Sequence, residues 1–371
     1  MRKIRFLLGT VCLVALLPVS AADGGEVNLY SYRQPFLIKP MLDEFTQKTN
    51  IKVNVVFANK GMLEKIKATP GAADAVLTAD IGRLNDMTAA GVLQPVKSSI
   101  LEKNIPSQYR HPEGLWFGLT TRARVLYVSK KRVKPGDVRS YEDLAKPSLR
   151  GRVCIRSGKH VYNVSLIASI IAHKGEAATT EWLKGVKANL ARKPGGNDRA
   201  QAKAIYAGQC DVGVGNTYYM GKMQTNRKKP AQRKWAAAIR LVFPNQGGRG
   251  THVNISGAAV IRSARNRANA VKLIEFLSGD FAQKIYADQN FEYPVKAGVP
   301  VNPRVKSWGD FKADQINLAT VAKFRKAASK IVDLVDFNNF RKSSSNCGTS
   351  KRARRAAPAA CRIHVLPVGR R

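Results

Sequence analysis

The sequence predicts an α/β protein built as two lobes hinged about a cleft. Strand-like and helix-like runs alternate through most of the chain, the signature of sheets covered by helices. Two long β-rich stretches, residues 116–130 and 251–261, break that alternation and suit strands that pass between lobes. About 320 residues before position 340 are enough for two domains of ordinary size.

The chain opens with MRKIR, the apolar run FLLGTVCLVALLPVS and the small residues Ser20, Ala21 and Ala22. A basic start, a short apolar core and small residues read as a secretory leader over residues 1–21, cut near Ala21 or Ala22. Roughly fifteen apolar residues are too few to span a bilayer comfortably. Residues 22–120 are expected to form the first part of lobe 1. Within them EVNLYSY reads as a strand and the amphipathic run from Pro35 to Lys48 as a helix. KVNVVFA and GMLEKIKA repeat that pair, then DAVLTAD leads into the helix IGRLNDMTAAG, with Gly91 as its stop. Lobe 2 is expected over 121–246, where RVCIRSG and CDVGVGN read as strands among helices that include NVSLIASIIAHKG and TYYMGKMQTN. Residues 247–296 return to lobe 1, and 297–340 form helices packing on lobe 2. The run 341–371 has no useful periodicity and no acidic residue, and is expected to be a disordered basic tail.

Composition narrows the function. Taking the nine basic residues of 341–371 and the three of the leader from +38 leaves +26 on the folded part. Such a charge favours anions and acidic surfaces. No helix-turn-helix, zinc-finger spacing or RNA-binding motif is present, so no nucleic-acid partner is expected. No nucleophile motif, phosphate loop or paired-carboxylate arrangement stands out, and no catalysis is expected. Cys12 lies in the leader, which leaves Cys154, Cys210, Cys347 and Cys361. Four cysteines allow three pairings; in an oxidising compartment Cys154 and Cys210 could tie two site segments together.

The candidate site rests on tyrosines. Tyr218 and Tyr219 stand side by side where CDVGVG gives way to a helix, and Tyr162 lies in RSGKHVYNVSL. Turns between strands and helices are where α/β proteins project binding groups. Three phenolates there would make a hard, anionic oxygen cluster suited to a trivalent cation. Asn163 and Asn216 or Thr217 are good N-cap residues, which would set the tyrosines at helix starts. Arg33 and Gln34 precede a helix beginning with Pro35, a ready anion site. Arg122 and Arg124 alternate along a strand, and Arg122 is taken as the one facing the cleft. The five histidines are scattered, and His160 is read as a bystander.

VNLYSYRQPFLIKPMLDEFTQKTNIKVNVVFANKG, ADAVLTADIGRL, RSGKHVYNVSLIASI and GQCDVGVGNTYYMGKM resemble the bacterial periplasmic ferric-iron-binding proteins, substrate-binding components of ABC importers. The likeness runs through residues 26–338 in order. It implies a type II periplasmic-binding fold with two crossover strands and a central cleft. It implies one Fe(III) held by Tyr162, Tyr218 and Tyr219, with a synergistic anion such as carbonate or bicarbonate held by Arg33, Gln34 and Arg122. It further implies a monomer, in the periplasm, that delivers iron to an inner-membrane permease. Relatives often carry a His, or a His-Tyr pair, where this chain has Gln34 and Pro35, which favours an anion over protein ligands from the first lobe. The same fold binding a small organic or inorganic anion is the alternative.

Overall fold

The structure, a computed structural model, describes residues 24–58 and 60–340. The leader and the 341–371 tail, with Cys12, Cys347, Cys361 and His364, lie outside the described residues. Among the described residues, no helix is long and apolar enough to cross a membrane.

The first elements follow the predicted alternation: β1 (Glu26–Ser31), α1 (Pro35–Thr49), β2 (Lys52–Phe57), α2 (Met62–Ala68), β3 (Ala75–Thr78) and α3 (Ile81–Ala89). Pro35 occupies the first position of α1, where its missing N–H costs nothing. Asp80 caps α3 by accepting from Gly82 N at 2.7 Å. After α4 (Ser99–Asn104) comes β4 (Phe117–Ser129), buried along all 13 residues.

The second half contains β5 (Val153–Cys154), α5 (Val161–Ala188), α6 (Asp198–Tyr206), β6 (Val212–Asn216), α7 (Thr217–Gln224), α8 (Ala231–Ala237) and β7 (Ile239–Val242). The strand expected through RVCIRSG shrinks to the two residues of β5. NVSLIASIIAHKG and the helical run TEWLKGVKANL after it join as α5, broken at Gly175, whose φ of 78° favours glycine. β8 (Val253–Val260), α9 (Arg267–Ser278), α10 (Asp280–Asn290), β9 (Tyr293–Pro294), α11 (Pro303–Lys306), α12 (Leu318–Lys323) and α13 (Arg325–Leu334) complete the fold. α12 and α13 pack along α5, and α12 also touches α3.

The strand order is β2-β1-β3-β8-β4-β6-β5, with β7 and β9 also on β4. β1 pairs parallel with β2 and β3, as strand–helix–strand units require, while β8 runs antiparallel to β3 and β4. β4 joins the two halves. Its Phe117–Ala123 stretch pairs with β8, and Arg124–Val128 pairs with β6. The hand-over from one lobe's sheet to the other therefore falls between Ala123 and Arg124. This is the two-lobed periplasmic-binding architecture.

Two glycines permit close approaches near the hand-over. A Cβ on Gly215 would lie 2.3 Å from the Tyr127 ring, whose hydroxyl donates to Asn216 O at 2.7 Å. A Cβ on Gly221 would lie 2.4 Å from the Phe291 ring, which packs there on α7. Cys154 and Cys210 form a disulfide with Cα atoms 5.9 Å apart, holding β5 and the approach to β6 together.

Candidate metal centre

β6 is buried throughout and hands the chain directly to α7, so Tyr218 and Tyr219 sit in the first turn of that helix. Thr217 anchors the turn to the hand-over by accepting from Ala123 N at 3.2 Å. Tyr162 occupies the first turn of α5. Its Oη lies 3.2 Å from Tyr218 Oη, and the Tyr218 and Tyr219 rings have centroids 4.3 Å apart. The three phenols singled out in the sequence are thus brought together. Tyr218 is buried and the other two are half-buried. Among the described residues no group of three His, Cys, Asp or Glu side chains could hold a metal ion.

The caps differ from expectation. His160, not Asn163, caps α5: its Nδ1 accepts from Tyr162 N at 3.2 Å. That role suits a neutral ring, and burial together with Arg156 pulls the His160 pKa down to about 4. Asn163 lies inside the helix, accepting from Arg124 Nη2 at 2.7 Å and donating to Arg156 O at 2.9 Å. Asn216 is the N-cap of α7, but its side chain caps nothing and instead accepts from Arg124 Nη1 at 3.0 Å.

The choice between Arg122 and Arg124 also needs correcting. Residues two apart on a strand project to the same face, so both should turn together. Their guanidinium carbons lie 6.0 and 5.8 Å from the centroid of the Tyr162 ring, and Arg156 approaches it to 5.3 Å. Arg199 sits 4.8 Å from the Tyr219 centroid, and the Lys222 ammonium 5.3 Å from that of Tyr218. Five cations therefore face the three rings. Asp198, wholly buried, balances two of them by pairing with Arg124 at 2.8 Å and Arg156 at 2.9 Å.

Despite those cations, burial pushes Tyr218 well above the ordinary tyrosine value, with Tyr162 and Tyr219 adding to the shift. Tyr219 is raised for the same first reason. Both carry their protons at neutral pH in this state, so a ligand that needs phenolate must displace them.

The three anion candidates fare differently. Arg33 is buried, and its Nη atoms are occupied by Glu292 and by Ser256 Oγ at 2.7 Å. Arg122 is buried too, but among the described residues its guanidinium bonds only to Ser256 Oγ at 3.0 Å, and its Nε is left unbonded. Gln34 is exposed at the start of α1, and its side chain makes no hydrogen bond among the described residues.

Sequence reasoning passed over Arg156, Arg199, Lys222, Asp198 and Glu292. Lys222 had a signal: it stands four residues after Tyr218 on one helix, and such side chains share a face. Its ammonium bridges the lobes, 5.7 Å from the Phe36 ring centroid at the start of α1. Burial lowers its pKa to about 8, and no hydrogen-bond acceptor reaches it among the described residues. Glu292 had no signal, since 259 positions separate it from Arg33.

Tyrosines at two helix starts, opposite a buried guanidinium on a crossover strand, describe a ligand cleft between lobes. Residues 73–315 match the family described as bacterial extracellular solute-binding protein. The chain belongs to that family. It is a solute-binding protein, not an enzyme. It is 45% identical over 311 residues to "Iron uptake protein A1" of Synechocystis, covering 83% of this chain and 86% of that protein. Among solved structures it is 52% identical to ferric iron-binding protein A of Mannheimia haemolytica in an open conformation, covering 85% of this chain and all of that one, with a TM-score of 0.80. It is 43% identical to a Trichodesmium protein in complex with iron and citrate ligands, covering 84% of this chain and all of that one, with a TM-score of 0.81.

Proposed function

We propose that this protein captures Fe(III) through Tyr162, Tyr218 and Tyr219 and carries it to an ABC importer permease. The observation that carries the reading is the 3.2 Å approach of Tyr162 Oη to Tyr218 Oη, with the Tyr219 ring 4.3 Å from that of Tyr218, inside a ring of cations. Fe(III) is hard and highly charged, and anionic oxygens suit it better than thiolates or amides. A trivalent ion also supplies what burial withholds, because a bound metal favours the deprotonated form of its ligands. The named iron-binding relatives support the same cargo.

A synergistic anion, carbonate or bicarbonate, would complete the coordination from the lobe that offers no tyrosine. Three phenolates and a dianion exceed the charge of iron, and Arg122 and Lys222 are placed to offset the excess. Arg33, already engaged by Glu292, would contribute field rather than direct bonds, and Gln34 has an uncommitted amide at the rim. The leader sends the chain to the periplasm, where it works as a monomer. Lobe closure over the cargo would give the permease a ligand-dependent shape to recognise.

The cation ring also suits a second reading, capture of a small anion without iron. One experiment separates the two. Purified mature protein is titrated with Fe(III) in bicarbonate, and tyrosinate-to-iron charge transfer is followed by visible absorbance. The iron reading expects colour that Tyr218→Phe with Tyr219→Phe abolishes. A colourless wild type, or a coloured double variant, would sink it.

A further inference from the structure

α7 has two working faces. Tyr218 and Lys222 lie on the side turned to the cleft, and residues Met220 and Gln224 lie about half a turn away at 100° per residue. Those two form one wall of a separate, half-open cavity of about 490 Å³, bordered by α8, β7, α11 and the chain just after it. Its size falls in the range of small-molecule sites, ~300–1,000 Å³.

The lining is one-sided in charge. Lys130, Arg233, Arg240 and Arg304 border the cavity and no acidic residue does. Arg240 is fixed by its Nη2, which donates to Lys134 O at 2.8 Å. Lys130, Arg233 and Arg304 are different: none has a side-chain ion pair or hydrogen bond among the described residues. All three are exposed, and such a cluster of like charge about one hollow favours an anion there. Two further lining residues carry unmatched polar atoms. Gln224 Oε1 and Trp308 Nε1 are buried with no partner among the described residues, and each such orphan in a folded protein calls for an explanation. Met220, Leu241 and Trp308 supply apolar surface, which inorganic anions do not use.

We propose that this cavity behind α7 is a second ligand site, for a small organic anion bearing two or more carboxylate or phosphate groups. The carboxylate or phosphate oxygens would meet Lys130, Arg233 and Arg304, and the carbon skeleton would lie on Trp308 and Met220. The site is independent of the iron reading, since none of its residues belongs to the tyrosine cluster.

Isothermal titration of iron-free protein at low salt tests it, with tricarballylate and 3-phosphoglycerate as probes and sulfate as the charge control. Expected is binding of at least one probe, at least tenfold tighter than sulfate. Arg233→Gln with Arg304→Gln, both exposed and without side-chain partners among the described residues, should weaken it tenfold or more. Tyr218→Phe with Tyr219→Phe should leave it unchanged. The proposal is overturned if neither probe outbinds sulfate or if the arginine variant binds as well as wild type. It is equally overturned if the tyrosine variant alone loses binding, which would place the anion in the main cleft.

Discussion

Glu292 grips Arg33 through both carboxylate oxygens, at 2.9 Å to Nη2 and 3.2 Å to Nη1, with both side chains buried. The pair ties the β1–α1 turn to the residue just past α10, and Thr120 adds a bond from β4 to Glu292 at 3.0 Å. Attraction to Arg33 holds the Glu292 carboxyl below its usual range against the opposing effect of burial. Glu292→Gln should therefore strand a buried guanidinium, at a cost of roughly 3–5 kcal/mol. Denaturant unfolding would show a lower midpoint. The paired replacement Arg33→Met with Glu292→Leu should recover much of the loss, because no charge is left unmatched.

Asp198 poses the same test inside the candidate metal centre. It holds Arg124 and Arg156 and accepts from Asn216 N at 2.9 Å, so one carboxylate positions β4, the β5–α5 turn and the start of α7. Asp198→Asn should cost stability on a similar scale, about 3–5 kcal/mol. It should also weaken iron binding, because the Tyr162 ring rests among the arginines that Asp198 orients. Iron affinity equal to wild type in a folded Asp198→Asn protein would count against that positioning role.

Much of this was legible in the sequence. β1 through α3 came from plain alternation, and β4 from a long β-rich stretch that breaks it. The tyrosines announced themselves as a doublet at a strand end. What escaped depended on distance or geometry. Glu292 finds Arg33 only once α10 folds back, which no local pattern reports. The shared orientation of Arg122 and Arg124 was available from strand periodicity. His160 took the cap from Asn163 because Arg124 and the Arg156 and Ser157 carbonyls claimed the asparagine amide.

Lys222 should decide anion use. Its ammonium lies between Tyr218 and Phe36 with no acceptor, so an anion entering the cleft would be its natural partner. Lys222→Met is expected to raise the bicarbonate concentration needed for half-maximal colour by about tenfold, the scale of one charge-assisted contact at ~1.4 kcal/mol. Lys222→Arg should restore it. An unchanged bicarbonate dependence in Lys222→Met would remove Lys222 from the anion site.

The Cys154–Cys210 bond makes a prediction about order as well as stability. Its cysteines are 56 residues apart, the same separation as Tyr162 and Tyr218, each of which follows a cysteine by eight positions. Closing such a loop stabilises by about 4 kcal/mol in the chain-entropy view. Cys154→Ala with Cys210→Ala should lower the thermal midpoint and speed iron loss to a competing chelator, since the two tyrosine-bearing turns would no longer be tied. A lower midpoint with unchanged iron loss would confine the disulfide to stability.

Proton balance gives the sharpest test of the candidate metal centre. Burial raises the pKa of Tyr218 and Tyr219 above the ordinary phenol value, so both hold protons at neutral pH before iron arrives. Each phenol that becomes a ligand must release one. Iron affinity should then rise with pH, with a slope of about two in log K per pH unit from these two residues. Acidification drives the protons back and releases iron. For the iron-free fold the sign reverses: a raised phenol pKa stabilises at neutral pH, and that contribution fades as pH climbs past about 10. Competition against a chelator of known proton balance would measure the slope, and Tyr219→Phe should lower it by about one unit. A slope near zero would mean that the phenols do not ionise on binding, and the tyrosinate site would have to be abandoned.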